Sequence, residues 1–368
     1  MRMAEGPGTK VPGSGGELVM EIAGVAEAIA WQADHAENAG APATARIIRA
    51  LLAVLESDTA TGRRLANWQG LTMADAMPLR VTGGLHALYL AGEEPRLGEI
   101  YSGLMSDQSL VDALVVETAR KFDHRLLPWL DGPPQTNEAG RSAGIMAGLM
   151  WLSGRLGPKF ALNEIGASAG INTMMGRFHF NLGGLEAGPG NSQMHIAPAW
   201  RGPPPPAGPV EIVSARGCDL SPVDLTVSQQ ALRLKAFVWP DATERMVRME
   251  AAIAMANETP PDLVQQDAAA FVADMLAQQQ QPGITRVLFH TVMWQYMPDE
   301  ACDAITAAME TAGALATGDK PLAWIKAETN RATFKQECRL RYWPGGDDEV
   351  LLAEIHPHGA WVDWKAPD

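Results

Sequence analysis

ALNEIGASAG, residues Ala161–Gly170, is the stretch whose reading decides the fold. The letters GASAG satisfy G-x-S-x-G, a sharp strand-to-helix turn that lifts a serine nucleophile, here Ser168, clear of a sheet. With Glu164 ahead of them the same letters read E-x-G-x-S-x-G, a turn bare enough for backbone to lie against a cofactor. Both readings need a strand, a tight turn and a helix. Local spacing leaves them level, and the rest of the chain has to separate them.

Composition sets the limits. The 368 residues are 46% hydrophobic and 20% charged, as in a soluble globular protein with room for one large or two ordinary domains. A formal net charge of -14 speaks against nucleic-acid binding, which needs clustered Lys and Arg. Three dispersed cysteines (Cys218, Cys302, Cys338) form no CxxC pair, so neither a disulfide framework nor a thiolate zinc site is expected, and a reducing cytoplasm fits. Residues 1–16, MRMAEGPGTKVPGSGG, lack an apolar core and read as a disordered tail rather than a signal peptide. No apolar run approaches membrane-spanning length, so no membrane partner is expected.

Periodicity divides the chain. From residue 17 to about 157 the pattern is helical: Ile22, Val25 and Ile29, then Ile47, Leu51 and Leu55 beside Ile48 and Leu52, then Leu110/Leu114 and Val111/Val115. A further helix is expected from about Thr136, carrying Ile145, Leu149 and Leu152. From residue 158 the pattern alternates. FALNEIGA, VEIVSARGCDL, DLVQQDA, RVLFHTVMW and PLAWIKAE read as strands; Ala268–Ala277 and DEACDAITAAMETAGAL read as helices between them. DATERMVRMEAAIAMANE reads as another helix, with Asp241 as its N-cap. ECRLRYWPGGDDEVLLAEI closes the chain as an antiparallel hairpin. The expected architecture is an α/β domain at 158–368, a doubly wound, mostly parallel sheet, behind an all-helical region at 17–157. Residues 183–209, with RGPPPP, are expected as a surface insertion.

That order weighs on the opening question. A serine elbow normally follows several strands of a sheet already built, whereas GASAG follows the first strand here. An HGGG-type oxyanion loop is missing as well, since TGGLHA near Gly83 lies in the helical half. His356 or His358 remains available to a hydrolase. The dinucleotide fingerprint G-x-G-x-x-G also fails, because its second and third glycine positions fall on Ser168 and Ile171.

Glu164, Gly166, Ser168 and Gly170 resemble the first motif of class I S-adenosylmethionine-dependent methyltransferases, with serine where the middle glycine stands. The resemblance implies a Rossmann-like methyltransferase fold: five parallel strands, then a hairpin whose last strand inserts antiparallel. It implies S-adenosylmethionine as cofactor, cradled by those four residues and Asn172. Asp219 in GCDLSP would hold the ribose, or Asn181 or Glu186 if FHFNL were the second strand, and Asp267 would meet the adenine. QTNEAGR, NEIGASAGIN, RGCDLSPVDL, VWPDATER, FHTVMWQYM and HPHGAWVDW further resemble an uncharacterised bacterial family, domain of unknown function 2332, from about Ile22 to Trp364.

Candidate chemistry belongs at the carboxyl ends of the strands. His290 reads as an acceptor-side base or as a core histidine, with Trp294 and Tyr296 able to line a pocket. No D/N-P-P-Y/F motif follows, which counts against amine methylation. Arg141 in QTNEAGR either grips an acidic ligand or belongs to a helix start capped by Thr136, with Asn137 and Glu138 in its first turn. Glu328 would face the cleft or solvent. His356 and His358 alone do not make a metal site, and no metal is expected. A small-molecule substrate is expected, and a homodimer is left open. A rival reading keeps the fold and the ligand but not the catalysis.

Overall fold

The computed structural model describes residues 24–70, 75–346 and 348–366. The tail expected at 1–16 and the Ile22 position lie outside them. The chain divides into two compact units, one running to Thr136 and including Ser228–Met246, the other comprising Asn137–Val227 and the chain from Val247.

The first unit is helical: Val25–Asn38, Pro42–Leu55, Ala60–Ala66, Met77–Leu90, Leu97–Tyr101, Gln108–Lys121, Asp123–Leu126 and Ser228–Ala236, with no strand among its described residues. The expected stripes form its core. Ile29, Ile47, Ile48, Leu51, Val111, Leu114 and Val115 are buried together, whereas Leu110 turns outward. Asp241 does not cap the helix that follows it. Its carboxylate accepts the backbone N–H groups of Ala43 (3.0 Å) and Thr44 (2.8 Å) and the Thr44 hydroxyl (2.7 Å), capping Pro42–Leu55 from nearly 200 residues away. The first-turn donors of that helix have no side-chain cap from their own N-cap, Ala41, so a distant acid supplies one.

Among its described residues the second unit holds twelve strands: β1 (Lys159–Ile165), β2 (His179–Leu182), β3 (Leu185–Ala187), β4 (His195–Ile196), β5 (Ala199–Arg201), β6 (Glu211–Asp219), β7 (Leu263–Gln265), β8 (Thr285–Thr291), β9 (Leu322–Thr329), β10 (Gln336–Trp343), β11 (Val350–Ile355) and β12 (Trp361–Trp364). Nine form one sheet in the order β5-β12-β11-β10-β9-β8-β1-β6-β7, and β3-β2-β4 form a small second sheet. The five strands read from apolar runs pair in parallel as β7-β6-β1-β8-β9.

Two expectations change, and one alternative is closed. The last strand of the hairpin does not insert: β10 runs antiparallel directly beside β9, and β11 lies outside it. The six residues between β9 and β10 are too few to cross over a strand, so the chain turns straight back. FHFNL belongs to the small sheet, which leaves β6 as the second strand of the parallel half β7-β6-β1-β8-β9. The segment 183–209 is no bare loop, since it carries β3, β4 and β5.

The expected boundary at 157 also differs from the unit boundary at Asn137. The helix Ser142–Leu156 is buried from Ser142 through Ser153, all the way round. A helix apolar on every side needs a cover on every side. It lies on the sheet face of Cys338 and Leu340, where added methyl groups at Gly144 and Gly148 would meet Cys338 and Leu352. The opposite face packs Ile165, Leu288, Trp324 and Trp343 against Phe271 and Met309 from the helices Ala268–Ala277 and Asp299–Ala314. No helix among the described residues is long and apolar enough to cross a membrane.

Asp241→Ala removes three capping bonds from one helix start. Urea denaturation is expected to show a loss of about 1–2 kcal/mol, the upper range for a cap, with Asp241→Asn losing less.

Candidate functional site

In the parallel half, β1 and β8 are neighbours whose following strands, β6 and β9, lie on opposite sides. This is a topological switch point, and the carboxyl ends of two such strands frame a crevice. The two segments leaving it are both strained. After β1 the turn passes through positive φ at Gly166 (65°), Ser168 (51°) and Gly170 (69°), and after β8 Val292 stands at 53°. A β-branched residue there is an outlier, and such strain concentrates where a site requires it.

Specific bonds impose the strain. Asp219, the last residue of β6, accepts the Ser168 N–H (2.9 Å) and the Ser221 N–H (2.9 Å) on its two oxygens. Ala167 donates to the Cys218 carbonyl (2.9 Å), and the Ser168 carbonyl accepts from Val223 N–H (3.1 Å). Asn137 accepts the Ile171 N–H (2.9 Å). On the β8 side, Val292 N–H donates to the Ala327 carbonyl (3.0 Å) and Met293 N–H to Glu328 (3.1 Å). Gly166 leaves room for the Met293 side chain, 2.8 Å from where a Cβ would stand. Burial pushes the Cys218 thiol up to about 12, so it supplies no thiolate at neutral pH.

Glu164 lies at the base of this turn, 1% exposed. Neither carboxyl oxygen has a hydrogen-bond partner; nor do both polar atoms of Asn172, fully buried beside it, or the Ser168 hydroxyl. Burial raises the Glu164 pKa well above its ordinary value and the charge of Asp219 adds to the rise, while Asn172 and the charge of Arg141 pull the other way. Asn172 is thus near enough to act on Glu164 without meeting it in hydrogen-bonding geometry. Buried polar groups are normally paired, so this cluster is an exception with a reason.

The QTNEAGR segment ties the turn to the rest of the unit. Residues 133–138 have no helical structure, so Thr136 starts no helix; the helix itself begins at Ser142. Glu138 accepts from Gly140 N–H (3.0 Å) and from the Arg248 guanidinium (2.8 Å). Arg141 donates to the Pro357 carbonyl (2.8 Å) in HPHG. There Gly140 and Gly359 press backbone to backbone, at 3.0 Å from Cβ position to Cα.

Other expected residues scatter. Asp267, exposed, caps the helix Ala268–Ala277 through Ala269 (2.9 Å) and Ala270 (3.2 Å). Tyr296 is 75% exposed and lines nothing with Trp294. His290 is wholly buried, its Nδ1 2.7 Å from Glu328. Register sets it apart from the glycine turn: Glu164 pairs with Phe289, so His290 points from the other face of the sheet. His358 N–H donates to His356 Nδ1 (3.1 Å), and no cluster of three metal-ligating side chains exists among the described residues. Sequence reading missed Arg248, Val292 and Met293. No letter marks a valine that must take positive φ, and Arg248 is one charge on an ordinary helix.

Fold and site define a mixed α/β protein with a large, mostly parallel sheet and a strained glycine turn at its switch point. The family model described as an uncharacterized protein conserved in bacteria (DUF2332) matches residues 26–364, and the chain belongs to that family. No curated protein and no solved structure matches it.

A carboxyl whose folded pKa is raised favours the folded state while protonated. That contribution is complete below the unfolded value near 4.5 and is lost as pH rises toward the raised folded value. Glu164→Gln is therefore expected to flatten the decline of stability with pH above 4.5, read by urea denaturation across a pH series.

Proposed function

We propose that the crevice binds S-adenosylmethionine and that the protein transfers its methyl group to a small molecule. One observation carries the reading: a buried carboxyl and a buried amide, Glu164 and Asn172, lie without partners at the base of a glycine turn on the switch point. An unpaired buried acid suits a ligand with a cationic end, such as the ammonium of a methionine moiety. The order β7-β6-β1-β8-β9 and the E-x-G-x-S-x-G spacing support it further.

The residues fit such a ligand in distinct ways. Glu164 would take the cation and Asn172 a neighbouring polar group. Gly166 would give backbone access once the flexible Met293 side chain swings aside, whereas Gly170 serves packing, against Pro261 and Leu263. Asp219 keeps the turn in shape through Ser168 N–H and retains lone pairs for a ribose hydroxyl. Asp267, just past β7, would stand near an adenine. Bound, the cofactor supplies an electrophilic methyl group, and the task left to the chain is alignment and exclusion of water.

A cation reaching Glu164 makes it ionise, so binding releases a proton and tightens as pH rises. Calorimetry with S-adenosylmethionine and S-adenosylhomocysteine, in buffers of different ionisation enthalpy, is expected to show that release. Glu164→Gln should weaken binding roughly 10- to 100-fold and abolish the release. Absence of binding by either compound, or an unchanged Gln variant, would sink the reading. Turnover on a panel of acceptors separates an enzyme from a protein that only binds.

One observation favours a serine hydrolase instead: Ser168 has left-handed backbone and a buried hydroxyl without a partner. Against it, no described strand precedes β1, and no histidine meets that hydroxyl. Fluorophosphonate labelling, lost in Ser168→Ala, would favour this second reading; an unlabelled protein removes it.

A further inference from the structure

Strand β6 is nine residues long, but its outer neighbour β7 pairs only with Gly217, Cys218 and Asp219. The chain leading into β7 carries Pro260 and Pro261, which have no N–H to give, so pairing stops there. Gly217 N–H donates outward to the Asp262 carbonyl (2.9 Å). Two residues back, Ala215 turns its own N–H and C=O to the same side, where neither has a backbone partner among the described residues. Val213 is skipped in the register with β1, since Phe160 pairs with Ile212 and Ala161 with Ser214. This bulge ends the regular ladder and leaves an open edge roughly three residues long.

A cavity of about 670 Å³, the size of a small-molecule site, runs along that edge. Ser214 and Ala215 both line it although their side chains leave opposite faces of the sheet, so it follows the margin of the strand. Pro260, Pro261 and Asp262 line it across from β6, and residues 185–188 and 207–210 wall it further. Such walls admit a single extended chain, not the edge of another sheet. The buried side chains of Met146, Met150 and Met174 also line it, a surface that adapts to apolar groups of varied shape.

Charge constrains the occupant. Arg177, half-buried on the wall, gives two N–H groups to the carbonyls of Met255 (3.1 Å) and Thr259 (2.9 Å) and forms no ion pair among the described residues. Burial lowers its pKa, and the charge of Glu258 offsets that only in part. The wall also carries the exposed carboxylates of Glu186 and Asp262, the latter 3.5 Å from Arg216. One guanidinium and two carboxylates suit neither a plain anion nor a plain cation. They suit a molecule bearing both charges. Asp262 follows Thr259 by three residues, an extended reach of roughly 10 Å.

We infer that this cavity binds a short free peptide of about three residues, extended antiparallel to β6 and adding to its open edge. The central residue exchanges N–H and C=O bonds with Ala215. The peptide's carboxylate meets Arg177, its ammonium meets Asp262, and an apolar side chain rests on the methionine wall. The site uses none of the residues assigned to the crevice and stands whatever binds there.

The test follows backbone hydrogen exchange of the full chain by mass spectrometry, over residues 211–216. The tripeptide Ala-Val-Ala, added to about 10 mM to reach weak binding, is expected to slow exchange there. Three altered forms each remove one contact: an acetylated amino end, an amidated carboxyl end and an N-methylated valine. Each is expected to bind roughly tenfold or more weakly than the parent. Arg177→Gln, at an unchanged thermal midpoint, should weaken the parent tripeptide roughly tenfold and leave the amidated form unaffected. The inference is overturned if Ala-Val-Ala gives no protection of 211–216. Equal binding of the N-methylated form would remove strand addition, and equal binding of either blocked end would remove the free peptide as occupant. These peptide comparisons are made on the unaltered chain, so they decide the matter even if the Arg177 variant fails to fold.

Discussion

The carboxylate of Asp219 holds the backbone N–H of Ser168, and the conformation of the crevice depends on that bond. Left-handed backbone costs a serine on the order of 1 kcal/mol or more. The cost is met by tying the residue on both sides, through Asp219 at its N–H and through Val223 at its carbonyl. With Ser168 fixed, Glu164 is sealed under the turn and Asn172 is brought beside it. The same bond leaves Asp219 a structural part of the crevice before any ligand arrives.

Around that turn the scattered motifs acquire a common purpose. QTNEAGR reaches the turn through Asn137, the long helix Thr243–Glu258 through Glu138 and Arg248, and HPHG through Arg141 and the Gly140–Gly359 contact. Residues far apart in the chain thereby converge behind one short loop. Two of these contacts satisfy backbone groups with side chains, Asn137 at the Ile171 N–H and Arg141 at the Pro357 carbonyl, and a third is the Glu138–Arg248 ion pair. Their joint effect is rigidity at the back of the crevice, while the Met293 side at its front is closed only by a flexible thioether.

Much of this was legible from letters alone. Nearly continuous apolar runs such as RVLFHTVMW mark parallel strands because both of their faces are covered, and β8 and β9 fall where the runs do. The helix Ala268–Ala277 is bounded by its cap, Asp267, which the pattern shows. The site was half legible. Glycines announce a turn, and an acid before them announces charge, but burial without a partner is a property of the whole fold. At His290 the letters left base and core histidine level, because alternation tells which residues share a face only once neighbouring strands are in register. Asp241 shows the same limit: a cap is local in chemistry, yet the helix it serves can be distant in sequence.

The strand β5, carried by the segment expected as a loop, pairs with β12 at one end of the nine-stranded sheet, and β7 closes the other. Both are only three residues long. A sheet edge offers open backbone to any passing extended chain, and a short edge offers little of it. The Pro-rich stretch RGPPPP begins at the last residue of β5, where proline withholds the very donors that another strand would seek. The insertion thus ends in a stretch that cannot lengthen the edge it supplies.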